Sequence, residues 1–69
     1  MQITLNGERH DVAGSASSVT VSDLLTRLNV DARRVAVELN LVVLKRNAFA
    51  STVVRDGDSV EIVNFVGGG

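Results

Sequence analysis

The fold of this chain turns on VVRDGDSVEIVNFVGGG, residues 53–69. Asp56-Gly57 marks a turn, a dipeptide suited to tight reversal. From Ser59 to Val66 the pattern is that of a β-strand, which passes without a spacer into Gly67, Gly68 and Gly69. Side chains on a strand alternate between faces, so Val60, Ile62, Asn64 and Val66 share one face, while Glu61, Val63 and Phe65 share the other. An unpaired buried carboxylate is costly, which assigns the Glu61 face to water and the Val60 and Ile62 face to a core. Val63 and Phe65 then become exposed apolar side chains on the strand that leads into the glycines. Scattered exposed apolar residues need no explanation. Two of them beside a chain end nevertheless make a natural anchor for a partner, together with Val66 at the strand's end.

Glycines at the end of an arbitrary chain usually mean a frayed terminus. Here a strand runs straight into them, and the expected division is a folded domain over 1–66 and a flexible tail over 67–69. Gly67, Gly68 and Gly69 have no side chains to block a narrow channel, and glycine backbones accept almost any φ/ψ a channel imposes. Four extended residues from Val66 reach at most about 13–14 Å. That is enough to carry a carboxylate on Gly69 into another protein's active site.

The rest of the chain supplies the body behind this arm. MQITLNGERHDVA opens with Met1, Ile3 and Leu5 alternating with Gln2 and Thr4, followed by Asn6-Gly7, a pair suited to a type I′ hairpin turn. The returning strand is more polar, with Glu8, His10 and Val12 on one face and Arg9, Asp11 and Ala13 on the other. GSASS at 14–18 is a small-residue loop. In TVSDLLTRLN, Thr20 is an N-cap candidate with Asp23 three residues on, and Val21, Leu24, Leu25 and Leu28 form one helical stripe. The helix fades near Asn29. Val35, Val37 and Leu39 alternate with Ala36 and Glu38, Asn40 breaks the run, and Val42 to Leu44 form a short strand. KRNAFAST holds a helical turn with Phe49 tucked inward. The order hairpin, helix, strand, short strand, strand implies a single helix on one face of a mixed sheet, a two-layer α+β domain whose first and last strands are central neighbours.

Composition removes several functions. At 69 residues the core is modest and leaves little room for a deep cleft. A formal net charge of −1, with Arg9, Arg27, Arg33, Arg34 and Arg55 scattered among acids, argues against nucleic acid, which needs a basic stripe. The chain has no Cys and one His, so it can form neither a disulfide nor a zinc–cysteine site. His10 beside Glu8 and Asp11 suggests a polar strand with no catalytic constellation. No apolar stretch approaches the roughly 20 residues of a membrane span, and the expected location is the cytoplasm.

The element order, the length and the terminal glycines together resemble the ubiquitin-like β-grasp fold, and more closely the ThiS family of sulfur carriers in thiamine biosynthesis. TVSDLL, VAVELN and VVRDGDSVEIVNFVGGG carry the resemblance, which covers the whole chain. It implies a mixed four- to five-stranded sheet with one main helix packed on one face. Arg46 and Phe49 fall where such chains often carry an arginine and a bulky residue. Asn40-Leu41 departs from the family's usual Asn-Gly. Leucine resists positive φ, so this connection is expected to be built differently or to run on as strand. Lys45 stands where proline is common.

The resemblance further implies that the Gly69 carboxylate is adenylated with ATP and converted to a thiocarboxylate, which donates sulfur for thiazole formation. The implied partners are an adenylating enzyme of the ThiF type, thiazole synthase of the ThiG type and a sulfur-donor protein, with no nucleic acid or membrane. The chain itself would be a covalent cosubstrate with no resident cofactor or metal and would not be an enzyme. Three other functions share some of these features: a molybdopterin-synthase small subunit, a protein modifier of the ubiquitin type, and an interaction module whose tail is irrelevant.

Overall fold

The computed structural model describes residues 1–12 and 17–65. The strands are β1 (Gln2–Leu5), β2 (Glu8–Asp11), β3 (Ser18–Thr20), β4 (Val35–Leu39), β5 (Val42–Leu44), β6 (Val53–Arg55) and β7 (Ser59–Asn64), with one α-helix, α1 (Val21–Arg27). Short 3-10 turns cover Ala32–Arg34 and Arg46–Ala48. The main sheet has five strands in the order β2-β1-β7-β4-β5, and β3 pairs with β6 in a separate two-stranded ribbon. Within the main sheet β1 and β7 run parallel, and the other neighbours are antiparallel. The first and last long strands are therefore central neighbours, and the architecture is the expected β-grasp. The ribbon was not expected. Its strands have three residues each, too few to display an alternation, and Ser18 belongs to β3 where the small-residue loop was expected to extend. Ala13 and residues 14–16 of that loop lie outside the described residues.

Helix α1 forms for the reasons its sequence gives. The Thr20 side chain accepts a hydrogen bond from the Asp23 amide at 3.1 Å, satisfying one of the first-turn N–H groups that a helix cannot pair internally. The Val21 and Ser22 amides donate to the carbonyls of Thr52 and Phe49 at 2.9 and 3.0 Å, so the segment after β5 completes the helix start. At the other end Asn29 adopts φ 58° and stops the helix. Val21, Leu24 and Leu25 are buried and Leu28 is partly buried against the same core. They meet Ile3, Val35, Val37, Phe49, Val54 and Val60. Among the described residues no polar side chain is buried. Phe49 is tucked inward as expected.

Both two-residue hairpins turn through positive φ. In the first, Asn6 and Gly7 have φ 50° and 82° between the paired residues Leu5 and Glu8. In the second, Asn40 and Leu41 have φ 50° and 71° between Leu39 and Val42. The expectation that Leu41 would force a different connection is therefore corrected: the leucine takes the glycine conformation. Bonds around Asn40 hold the turn. Its amide donates to the Ser59 carbonyl at 2.8 Å, its side-chain oxygen accepts from the Ser59 amide at 2.9 Å, and its Nδ2 donates to Asp58 at 3.1 Å. The Leu41 side chain is 84% exposed and contributes no packing to offset the strained backbone. Leu41→Gly should thus raise stability by about 0.5–1 kcal/mol, the left-handed cost relieved less the glycine's extra unfolded entropy. Chemical denaturation of the two proteins checks this; a variant less stable than the parent would show the turn to be unstrained.

Candidate functional site

β7 is paired on both flanks. Thr4 and Leu5 of β1 lie opposite Ser59 and Val60, and β4 runs alongside from Leu39 opposite Val60 to Val35 opposite Asn64. The Asn6 side-chain oxygen adds a bond from the Ile62 amide at 2.7 Å. The regular strand ends at Asn64, but the Phe65 amide still donates to the Arg34 carbonyl at 2.8 Å, so the chain stays on the sheet through the last described residue. The faces follow the expected alternation. Val60 is fully buried and Ile62 partly so, whereas Val63 and Phe65 are 58% and 57% exposed. Val66, Gly67, Gly68 and Gly69 lie outside the described residues.

The pairing fixes what surrounds Val63 and Phe65 on the outer face. Ala36 lies opposite Val63, and Arg34 is hydrogen-bonded to Phe65 through the backbone. One row back, Glu61 lies opposite Glu38, which in turn faces Val43 of β5. The residues beside Phe65 are basic. Arg33 and Arg34 close the 3-10 turn capped by Asp31, whose carboxylate accepts from the Arg33 amide at 2.9 Å and from its guanidinium at 3.1 Å. Arg34 approaches the same carboxylate at 3.8 Å. The Arg46 guanidinium donates to the Arg33 carbonyl at 3.5 Å. The hydrogen bonds from Arg33 hold the Asp31 carboxyl below its ordinary value. This contribution is present above the usual carboxylate range and is lost as pH falls through the lowered value.

The arginines read as scattered along the sequence are therefore partly gathered in space. Arg33, Arg34 and Arg46 converge beside the C-terminal end of β7, brought together by the 3-10 turn before β4 and the turn after β5. The adjacency of Arg33 and Arg34 was visible in the sequence, but their proximity to Arg46 depends on β4 and β5 being paired. His10 is half-buried and lines an open cleft of about 340 Å³ with Asp11, Val12, Leu24, Arg27 and Leu28, away from the strand exit. Among the described residues no three of His, Cys, Asp and Glu are grouped to hold a metal, and no helix is long and apolar enough to cross a membrane.

The ThiS family model matches residues 3–69, which runs through the strand exit and all three glycines. The chain belongs to the ThiS family. A crystal structure of the thiamine biosynthesis protein ThiS from Geobacter metallireducens superposes with a TM-score of 0.87 at 50% identity, covering 100% of both chains. The sulfur carrier protein ThiS of Bacillus subtilis is 34% identical over 67 residues, 97% of this chain and 98% of that protein. A thiazole synthase of Paramagnetospirillum magneticum is 45% identical over 69 residues, and there this ThiS-family chain spans 20% of the relative's length.

Proposed function

We propose that this chain is a sulfur carrier of thiamine biosynthesis, with Gly69 as the residue whose carboxylate carries the sulfur. The observation that supports it most directly is the family match, which extends through Gly67, Gly68 and Gly69. Residues 1–66 act as the folded body and 67–69 as the arm. A free carboxylate is a poor acyl donor. Attack of a carboxylate oxygen on the α-phosphorus of ATP expels pyrophosphate and leaves an acyl-adenylate. A sulfur nucleophile then displaces AMP, and the product is a thiocarboxylate. No cysteine is needed, because the sulfur resides on the main chain.

The machinery for both steps belongs to partners, and the carrier is their cosubstrate. An adenylating enzyme of the ThiF type supplies ATP chemistry, and a sulfur-donor protein supplies the sulfur. Thiazole synthase is the acceptor, a role supported by the relative that bears the same name and contains a region similar to this chain. Val63, Phe65 and Val66 dock on the adenylating enzyme. Ordering three glycines costs on the order of 1–2 kcal/mol each in backbone entropy, so these complexes are transient, as a carrier visiting several proteins requires.

Intact mass after incubation with ATP, a sulfur source and the cognate adenylating enzyme should show oxygen-to-sulfur exchange at the C-terminus; an unchanged mass would sink the proposal. Gly68→Ala tests the arm. It adds a methyl group where the channel should be narrowest, so adenylation should fall while the unfolding free energy stays within about 0.5 kcal/mol of the parent, as for an ordinary surface change. Equal adenylation rates would remove the steric argument.

A further inference from the structure

We propose that the outer face of the main sheet is a charge-poled docking surface. Its partner presents a basic side chain to Glu38 and Glu61, an apolar socket to Val63 and Phe65, and an acidic rim to Arg33, Arg34 and Arg46. The proposal rests on the carrier role and specifies the surface chemistry of the adenylating enzyme that receives the tail.

Glu38 and Glu61 lie directly opposite each other on antiparallel strands, which places their Cβ atoms about 4.5–5.5 Å apart. Like charges in that arrangement destabilise a sheet. Neither carboxylate has an ion-pair partner among the described residues. The pair has a demand for positive charge that the fold leaves unmet. A lysine or arginine entering from outside between the two carboxylates meets it.

The opposite pole lies at the strand exit. From Glu61 to Phe65 the strand advances about 13 Å, longer than the roughly 8 Å over which physiological salt screens exposed charges. The acidic pair therefore does not neutralise the arginines. The single carboxylate of Asp31 is shared by Arg33 and Arg34, so these two together with Arg46 still leave the exit positive. Between the poles stand Ala36, Val63 and Phe65, an apolar centre with charged margins, as protein interfaces are built.

Two opposite poles give the surface a direction. A partner docked the wrong way round sets like charge against like, which disfavours that orientation. The correct orientation sets Phe65, the last residue of the apolar centre, beside the acidic rim. Binding affinity comes from the apolar centre, and the poles fix the heading of the tail before it enters.

The test inverts the poles. Glu61→Lys combined with Arg34→Glu makes equal and opposite changes, so the formal net charge stays at −1. In adenylation assays with the cognate adenylating enzyme, KM of the double variant should rise roughly tenfold or more at low salt, with the gap narrowing as salt is added. Glu61→Lys alone should raise the melting temperature, because it replaces repulsion across β4 and β7 by attraction, and should also raise KM. Weaker recognition by a more stable protein does not arise from unfolding. If KM is unchanged in both variants while the wild type is activated normally, the poles are wrong and the carrier role stands. A wild type that is not activated at all removes the carrier role and the poles with it.

Discussion

Phe49→Ala is expected to remove about 3–5 kcal/mol of stability, most of what a domain of this size has. The side chain is 3% exposed and belongs to the buried cluster of the described residues. Two aromatic residues occur in the whole chain, both phenylalanines, with no Trp and no Tyr. No comparably large side chain is at hand to fill the void. Stability of a small domain lies within about 5–15 kcal/mol, and a domain of this size is at the marginal end. The loss is one of packing, because the Phe49 carbonyl that receives the Ser22 amide at the start of α1 is kept by alanine. Denaturation followed by circular dichroism measures the effect. A loss below about 1 kcal/mol would show that the core closes over the gap or does not depend on this ring.

The other phenylalanine should behave in the opposite way. Phe65→Ala is expected to weaken binding to the adenylating enzyme by about 1–3 kcal/mol, with a stability change within about 0.5 kcal/mol. The ring is 57% exposed at the end of the central strand, and its fixed position comes from the backbone bond to Arg34, which alanine keeps. Aromatic anchors of this kind supply a large share of interface energy when a partner desolvates them. Titration calorimetry and thermal melts on the same variant separate the two quantities. A variant that unfolds yet retains its residual affinity would assign the ring to the fold and not to the interface.

The parts of this fold legible in the sequence were those in which several local signals agree. Thr20, Asp23 and the Val21, Leu24 and Leu25 stripe all point to one helix. In β7 a single charged residue, Glu61, was enough to assign both faces. Leu41 was misjudged because steric preference at one position was weighed without the bonds from Asn40 to Asp58 and Ser59, partners 18 and 19 residues away. β3 and β6 were missed because short strands have no pattern of their own and exist only through pairing across residues 18–55. The clustering of Arg33, Arg34 and Arg46, and the opposition of Glu38 and Glu61, are likewise products of register. Neither is a property of neighbouring letters. What the sequence did expose was the last strand and its two faces, since they are contiguous along the chain.

The placement of β7 has a mechanical consequence. In the proposed carrier role, tension on the C-terminal end acts along the axis of the strand that precedes it. That strand is not at an edge, where tension would peel hydrogen bonds away one after another. It lies between a parallel neighbour and an antiparallel one, with Asn6 bonded to Ile62 on one flank and Asn40 bonded to Ser59 on the other. A pull at Phe65 loads these bonds together, in shear. The body of the protein can thus act as a rigid handle, holding its shape under a load applied at Phe65.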